Sequence, residues 1–144
     1  MPKTLPLRAR KMAQRKLLIL RVFIKMLNKN TLEEVNIKEL CNELDISEGT
    51  FFNYFPTKTH VLLYFISLWS VGVQWAARQH EDDPLKAIET VFTHTYDRMR
   101  EDAPVIFEVI SLYARARMPI AAKEVSAAEK IVAWPDQEGI EKIK

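Results

Sequence analysis

One stretch of the sequence, DISEGTFFNYFPTK at residues 45 to 58, holds the side chains best suited to binding a partner. It combines hydroxyl groups, an amide, an ammonium group and several aromatic rings. Hydroxyl and ammonium groups can hold phosphate oxygens, and amides can form paired hydrogen bonds to the edges of bases. The sequence has no nucleophile elbow, phosphate-binding loop or paired metal motif, so we expect its chemistry to be binding and not catalysis.

The four aromatic residues of this stretch must divide between a core and a surface. Phe51 and Phe55 are four residues apart and therefore share one face of a helix. If that face is buried, Phe52, Asn53 and Tyr54 point away from the core. Exposed rings and an amide on a short helix are costly unless a partner covers them, and a helix of this size fits the major groove of DNA.

Capping signals predict two short helices in this region. Asn36 is the expected N-cap of the first of them, and Glu39 is in position to complete a capping box. Asp45 can close that helix because it tolerates a positive φ. Ser47 is the expected N-cap of the next helix, which Pro56 ends.

Two residues in the first turn of that second short helix affect its stability in opposite ways. Glu48 is favourably placed near the positive end of the helix dipole. Gly49 lowers the intrinsic stability of the helix. A closely approaching phosphate backbone would explain why a glycine stands there.

Apolar periodicity predicts longer helices on both sides of this pair. A first helix is expected over residues 12–28, ending where asparagines tolerate a left-handed turn. Later helices are expected at 57–80, where Thr57 is the cap, at 84–100, at 103–119 and before Trp134.

These elements together predict an all-α fold. Two short helices joined by a tight turn, behind a longer first helix, form a helix-turn-helix head. We place the head at residues 1–57, with the motif at about 36–55, and a helical body at 58–144. The long fourth helix is expected to bridge the two parts.

Composition sets the class of protein. A chain of 144 residues with 48% apolar residues is the size of one domain and has ample material for a core. The single Cys41 cannot form an internal disulfide, which suits a reducing cytoplasm. No apolar run is expected to reach the roughly 18 residues of a membrane span, and no signal-peptide pattern is present. We therefore expect a cytoplasmic protein without a membrane partner.

Basic residues are concentrated at the N-terminal end. Residues 1–30 contain nine Lys and Arg and no Asp or Glu, although the formal net charge of the chain is only +2. Residues 31–60 contain two Lys and six acidic residues. The basic block is typical of a segment that meets a polyanion or an anionic membrane surface, and it is equally typical of a solvated helix face.

The run VNIKELCNELDISEGTFFNYFPTK, residues 35 to 58, resembles the N-terminal signature of the TetR family of bacterial transcriptional regulators. The resemblance covers roughly residues 12–65. The positions that match the family pattern directly are Ser47, Gly49, Thr50, Tyr54, Phe55 and Lys58. Conservative partners stand at Ile37, Leu40, Ile46 and Phe51.

The resemblance implies contacts to the DNA backbone. Asn36 and Ser47 would cap helices whose N-termini face phosphates. Thr50, Tyr54 and Lys58 would hold the backbone directly.

The resemblance also implies contacts to bases, and the sequence departs from the family pattern at three positions. Glu48, Phe52 and Asn53 would lie near bases. Asp45 replaces the usual turn glycine, and Thr31 stands where a glycine normally ends the first helix. A tyrosine is common at the position of Phe52, and its hydroxyl group would contact a phosphate. Phe52 lacks that hydroxyl group.

Each of these positions has an alternative interpretation. Asn36 and Ser47 are also accounted for as ordinary helix caps without a ligand. Tyr54 would also fit against the fourth helix, and Lys58 would also be explained by simple solvation. Phe52 is compatible with a larger core.

Large aromatic side chains recur in the body. In the family that the motif resembles, this region encloses a small-molecule pocket whose occupant alters the spacing of two DNA-reading heads. The alternative for each ring is a place in an ordinary core. The residues that would line a pocket for a small apolar or aromatic effector are Phe65, Trp69, Trp75, Phe92, Tyr96, Phe107 and Tyr113.

A metal site and a cofactor are not expected. His94, Asp97 and Glu101 share one face of the predicted fifth helix, and imidazole and carboxylates are competent metal ligands. Such spacings are common by chance, so a solvated face with a histidine and two acids is the preferred interpretation.

The sequence thus predicts a ligand-responsive repressor that binds a palindromic operator as a homodimer. Regulators of this family usually continue into two further helices that form the dimer. This chain is therefore a fragment or a short variant, or it dimerises through another face, such as the one around Val105, Phe107, Ile110 and Leu112. The alternative function is a helical ligand carrier or protein-interaction module without specific DNA binding.

Overall fold

The computed structural model of the chain describes residues 5–116 and 124–144. Within these ranges the backbone forms seven α-helices, one 3-10 helix and no strand, which confirms the all-α prediction. The α-helices are α1 (Leu7–Leu27), α2 (Ile37–Glu43), α3 (Glu48–Tyr54), α4 (Lys58–Arg78), α5 (Pro84–Glu101), α6 (Ala103–Arg115) and α7 (Ala127–Ala133), and the 3-10 helix covers Ile140–Lys142. The predicted end of the sixth helix near Pro119 lies outside the described residues.

The first helix differs from its prediction at both ends. α1 begins at Leu7, five residues before the predicted start. The expected left-handed turn at its end was wrong, because Asn28 has a φ of −67° in the right-handed region. The side chain of Asn30 donates from Nδ2 to the Met26 carbonyl at 3.0 Å. A carbonyl at the helix end is therefore satisfied without a residue in the left-handed conformation.

The caps of the short helix α2 largely follow the prediction. The Asn36 Oδ1 atom accepts from the backbone N–H groups of Lys38 at 2.9 Å and Glu39 at 3.3 Å. The expected reciprocal half of the capping box is replaced by a long side-chain contact, in which Asn36 Nδ2 donates to Glu39 Oε1 at 3.5 Å. Asp45 follows with a φ of 50°, as expected for the residue that closes this helix.

One continuous core joins the two predicted parts of the chain. Its buried apolar residues come from α1 to α4, from α6 and from the C-terminal segment. Phe23, Phe51, Phe55 and Tyr64 are its largest side chains and are fully buried. Residues on both sides of position 57 therefore share one core.

The long helix α4 runs through this core. Eight of its 21 residues are buried, including Tyr64 and Gly72. Contrary to the expectation from the sequence, α4 is long and apolar enough to cross a membrane by length and composition. Core helices of soluble proteins pass the same test. Thr57 occupies the N-cap position, but its hydroxyl pairs with His60 Nδ1 at 2.8 Å and not with a backbone N–H.

The C-terminal segment folds back against α1. The helix predicted before Trp134 is present as α7, and it packs on α1. Ser126 and Glu129 form a complete capping box at its start. The 3-10 helix that follows was not predicted from the sequence, and Gly139 precedes it with a φ of 91°.

Candidate nucleic-acid interface

The aromatic residues of α3 divide between core and surface. Phe51 and Phe55 are fully buried, and their ring centroids lie 6.0 Å apart. Phe52 is 43% exposed and meets the edge of Phe51 with a centroid distance of 5.2 Å. Asn53 is exposed, whereas Tyr54 packs partly against the core. The outward face of α3 is therefore formed by Phe52 and Asn53, with Tyr54 at its edge.

The start of α3 has free hydrogen-bonding capacity. Ser47 Oγ accepts from the Thr50 backbone N–H at 3.0 Å and lies 2.9 Å from Thr50 Oγ1. Two hydroxyl groups share that contact and only one of them donates in it. The second O–H is left to donate to an acceptor outside the helix, such as a phosphate oxygen.

Gly49 is not required by internal packing. A Cβ atom built at this position would meet Ser47 Oγ at 3.7 Å, an ordinary van der Waals distance, and would otherwise face open space. Its backbone is helical and needs no positive φ. The fold itself thus gives no reason for a glycine at this exposed position.

Lys58 has an internal role that the sequence did not indicate. Its Nζ atom donates to the carbonyl oxygens of Leu32 and Glu33, at 3.0 Å each. The ammonium group therefore ties the start of α4 to the loop between α1 and α2. One of its three N–H donors remains for a phosphate, at a position that the two carbonyls fix.

The first half of α1 carries four exposed basic residues, Arg8, Arg10, Lys11 and Arg15, and Arg21 is exposed farther along the helix. Lys3, the remaining basic residue before them, lies outside the described residues. Farther along the helix, Lys25 is paired with Glu43 at 3.0 Å.

The surface of α2 and α3 is acidic by comparison. Glu39, Glu43, Asp45 and Glu48 are exposed there, and Lys38 is the one exposed basic side chain on these two helices. A polyanion approaching α3 would therefore need the first half of α1 for electrostatic attraction.

Among residues 58–116 and 124–144, the seven aromatic side chains expected at a pocket do not gather around one site. Phe65 is buried, and Trp69 and Trp75 are partly buried. The other four expected pocket residues are exposed by 41% to 71%, and these are Phe92, Tyr96, Phe107 and Tyr113. Of the residues suggested for a dimer face, Val105 is fully buried and belongs to the core, while Phe107 and Ile110 are exposed.

A cavity of about 740 Å³ lies between α4 and the C-terminal segment. Its lining is mixed, and the polar part includes Ser67, Ser70, Gln74, Lys130 and Lys142. No local pattern in the sequence indicates this cavity, because it forms only when the C-terminal segment folds back. Lys130 Nζ donates to the Ile143 carbonyl and so holds that segment together.

No protein-family model, curated protein or solved structure matches the chain. The resemblance to the TetR family therefore rests on the residues named above and stays a prediction.

Of the three residues considered for a metal, only His94 lies in a helix contact, and Asp97 and Glu101 are exposed. His94 lies against α4, where a Cβ at Gly72 would approach its Nε2 atom to 3.4 Å. Burial and the charge of Arg98 lower the pKa of His94, and Asp97 and Glu101 partly oppose that shift. Within residues 5–116 and 124–144, no group of three His, Cys, Asp or Glu side chains is arranged to hold a metal ion.

Proposed function

We propose that this protein is a transcriptional regulator that reads double-stranded operator DNA with α3. The observation that carries the proposal is the outward face of α3. Phe52 and Asn53 are exposed there while the opposite face is fully buried, and Gly49 leaves room for a close neighbour. A short helix that places an amide, a ring and a bare backbone on its surface suits the major groove.

The proposed contacts divide into base reading and backbone positioning. Asn53 pairs with an adenine edge, Phe52 meets thymine methyl groups and Glu48 accepts from a cytosine amino group. The free hydroxyl of the Ser47–Thr50 pair donates to a phosphate.

The remaining backbone contacts lie at the border of α3 and on α1. Asn36 at the start of α2 and Tyr54 at the edge of α3 each meet a phosphate in this proposal, and Lys58 offers its remaining N–H group. The exposed basic residues of α1 lie against the neighbouring phosphates, where they offset the acidic surface of α2 and α3.

A binding-site selection experiment with random duplex DNA tests the function directly. We expect the protein to enrich one palindromic motif, since two copies of α3 read two half-sites. Asn53→Ala should alter the preferred base at one position of each half-site, at about 1–3 kcal/mol for a bidentate contact. Indifference to DNA sequence at low salt would reject the proposal, and an unchanged motif with Asn53→Ala would remove that residue as a base reader.

Gly49→Ala should change stability and DNA binding in opposite directions. Alanine favours a helix by about 1 kcal/mol over glycine, and the added methyl group enters open space, so the free energy of unfolding should stay equal or rise. The same methyl group should push the DNA backbone away and weaken binding to all sequences. Urea unfolding and fluorescence polarisation on the selected operator measure the two effects.

The control for this prediction is Asn42→Ala, which alters an exposed, uncharged residue of α2 without adding bulk to α3. If Gly49→Ala bound DNA as tightly as the wild type, close approach of a phosphate backbone at this position would be ruled out. If it lost stability, the open space around its Cβ would be in doubt.

We also propose that a small molecule controls the regulator. Support comes from the cavity between α4 and the C-terminal segment, which is lined by both apolar and polar side chains. An effector that combines an apolar or aromatic body with polar groups would suit this lining. The cavity borders α4, the helix that carries Trp69 and Trp75. Tryptophan emission during titration with such compounds tests the idea, and compounds that bind without releasing DNA would contradict it.

A second candidate function, a protein-interaction module, is favoured by one observation. α5 carries large apolar side chains on its exposed face, as a surface for another protein would. In that case the basic half of α1 would meet an acidic partner. The selection experiment separates the candidates, because an interaction module would enrich no DNA motif.

A further inference from the structure

Helix α5 is packed with its apolar side outward. It has no buried residue, and its contact with α4 uses a side that includes Ala87, His94 and Arg98. Five large apolar side chains lie on the exposed side. They are Leu85 (80% exposed), Ile88 (54%), Phe92 (71%), Tyr96 (61%) and Met99 (45%).

These five residues form one continuous stripe along the helix. Their spacings of three and four residues keep them on one face over the whole of α5. In most surface helices of globular proteins the apolar stripe faces the core and the polar side faces the solvent. In α5 the apolar stripe faces the solvent. Large exposed apolar patches of this kind mark sites that bind another protein.

We propose that this stripe is the contact between two copies of the chain, which pair α5 against α5 in antiparallel orientation. A two-fold axis at Phe92 places this residue against its own copy. Leu85 of each copy then lies beside Met99 of the other. Such an interface is isologous, since the same stripe serves both subunits.

The size of the apolar surface fits a dimer. Taking roughly 200 Å² for a whole aromatic side chain, the exposed parts of Phe92 and Tyr96 alone amount to about 250 Å². The three aliphatic residues of the stripe add a similar amount. Two copies would therefore bury on the order of 1,000 Å² together, which is about the lower limit for a specific interface between proteins.

The charges around the stripe favour a second copy in antiparallel orientation. Glu81 and Asp82 are exposed just before the N-terminal end of α5. Arg100 borders the stripe at the other end, with its guanidinium group 5.9 Å from the centre of the Tyr96 ring. Antiparallel pairing brings Arg100 of one copy towards the acidic end of the other. Glu89 also borders the stripe and is paired with Lys86 of the same helix at 2.9 Å. Asp97 and Glu101 lie farther round the helix, away from the stripe.

The inference extends the proposed function, because it supplies the dimer that a palindromic operator requires. It can nevertheless be tested without DNA. Sedimentation equilibrium of the full chain should show a dimer. Phe92→Glu should raise the dimer dissociation constant by about 30-fold or more, as expected for a central anchor residue. A monomeric wild type, or a Phe92→Glu variant that dimerises normally, would overturn the proposal.

Cysteine cross-linking tests the orientation. In the antiparallel pair, Phe92→Cys faces its own copy and should form a disulfide-linked dimer on oxidation. Two copies of Leu85→Cys would be separated by about 21 Å along the helices, far beyond disulfide range, and should remain unlinked. The wild type is the background control, since its one cysteine, Cys41, is buried. Equal cross-linking of both variants would indicate parallel helices and overturn the antiparallel pairing.

Phe52→Glu is the matched control. It places the same charge on an exposed phenylalanine of α3, so it should leave the dimer intact and abolish binding to the operator. Circular dichroism of both glutamate variants checks that they are folded. If the wild type is a dimer that ignores DNA, the proposed function fails and the α5 interface stands.

Discussion

Replacing Phe51 by alanine should lower the free energy of unfolding by about 3–5 kcal/mol, the range for removing a fully buried aromatic side chain. Phe51 has no exposed surface and lies between the rings of Phe52 and Phe55. Phe55 in turn contacts Tyr64 of α4, with a centroid distance of 5.5 Å. The cavity left by Phe51→Ala would therefore open at the junction of α3 with the rest of the core.

The effect can be measured by urea unfolding followed by circular dichroism, and DNA binding should disappear as the structure is lost. Phe52→Ala is the control, because this neighbouring ring is 43% exposed and its removal should cost roughly 1 kcal/mol or less. Comparable losses for the two variants would mean that the division of α3 into a buried and an exposed face is incorrect.

That division was predictable from the sequence because its causes are local. A separation of four residues places Phe51 and Phe55 on one helical face, whatever the rest of the chain does. Ser47 and Asn36 cap helices through hydrogen bonds to backbone groups only two or three residues away. The features of α2 and α3 that depend on short-range geometry are therefore readable from the residues alone.

The orientation of α5 was not predictable in the same way. Periodicity identifies the apolar stripe of a helix, but it does not say whether the chain itself covers that stripe. Phe92 and Tyr96 were expected beside a pocket, and the structure places both on the surface. The side of α5 that meets α4 is set instead by the close approach of His94 to Gly72, a contact between residues 22 positions apart.

Long-range contacts also explain what was missed at Lys58 and in the C-terminal segment. The ammonium group of Lys58 bonds to carbonyls more than twenty residues earlier in the chain. Similarly, the packing of α7 on α1 depends on a pair of charges, Lys16 and Glu129, that are far apart in sequence. Local patterns contain no information about such partners.

The Lys16–Glu129 pair joins α1 to α7 in a nearly enclosed position. Lys16 Nζ lies 2.5 Å from Glu129 Oε1, and the two side chains are only 15% and 9% exposed. The other carboxylate oxygen accepts from the Ser126 backbone N–H at 2.9 Å. The same ammonium group lies 4.3 Å from the centre of the Tyr64 ring, so it also makes a cation–π contact with α4.

These contacts determine how stability depends on pH. Burial alone would raise the pKa of Glu129, but the hydrogen bonds from Lys16 and Ser126 outweigh it and lower the pKa below its ordinary value of 4.5. A carboxyl group with a lowered pKa in the folded state stabilises the protein above its unfolded pKa. That contribution should be lost as the pH falls below about 4.5 and through the folded pKa.

Lys16→Met should therefore lower the free energy of unfolding at pH 7 by about 3 kcal/mol, the lower end of the range for removing one partner of a buried ion pair. Methionine keeps the volume but leaves the Glu129 carboxylate without its cation, so burial should now dominate and raise its pKa. The loss relative to the wild type should accordingly shrink as the pH falls through the raised pKa of the variant, and further through the lowered pKa of the wild type, because protonation removes the uncompensated charge. The double variant Lys16→Met/Glu129→Gln should recover most of the loss at pH 7, since an amide oxygen can still accept from Ser126.

Urea unfolding of the wild type and the two variants measures these differences at two pH values, pH 7 and a pH below about 4.5. A loss that is the same at both pH values, with no recovery in the double variant, would show that Lys16 stabilises the fold by packing and not through its charge.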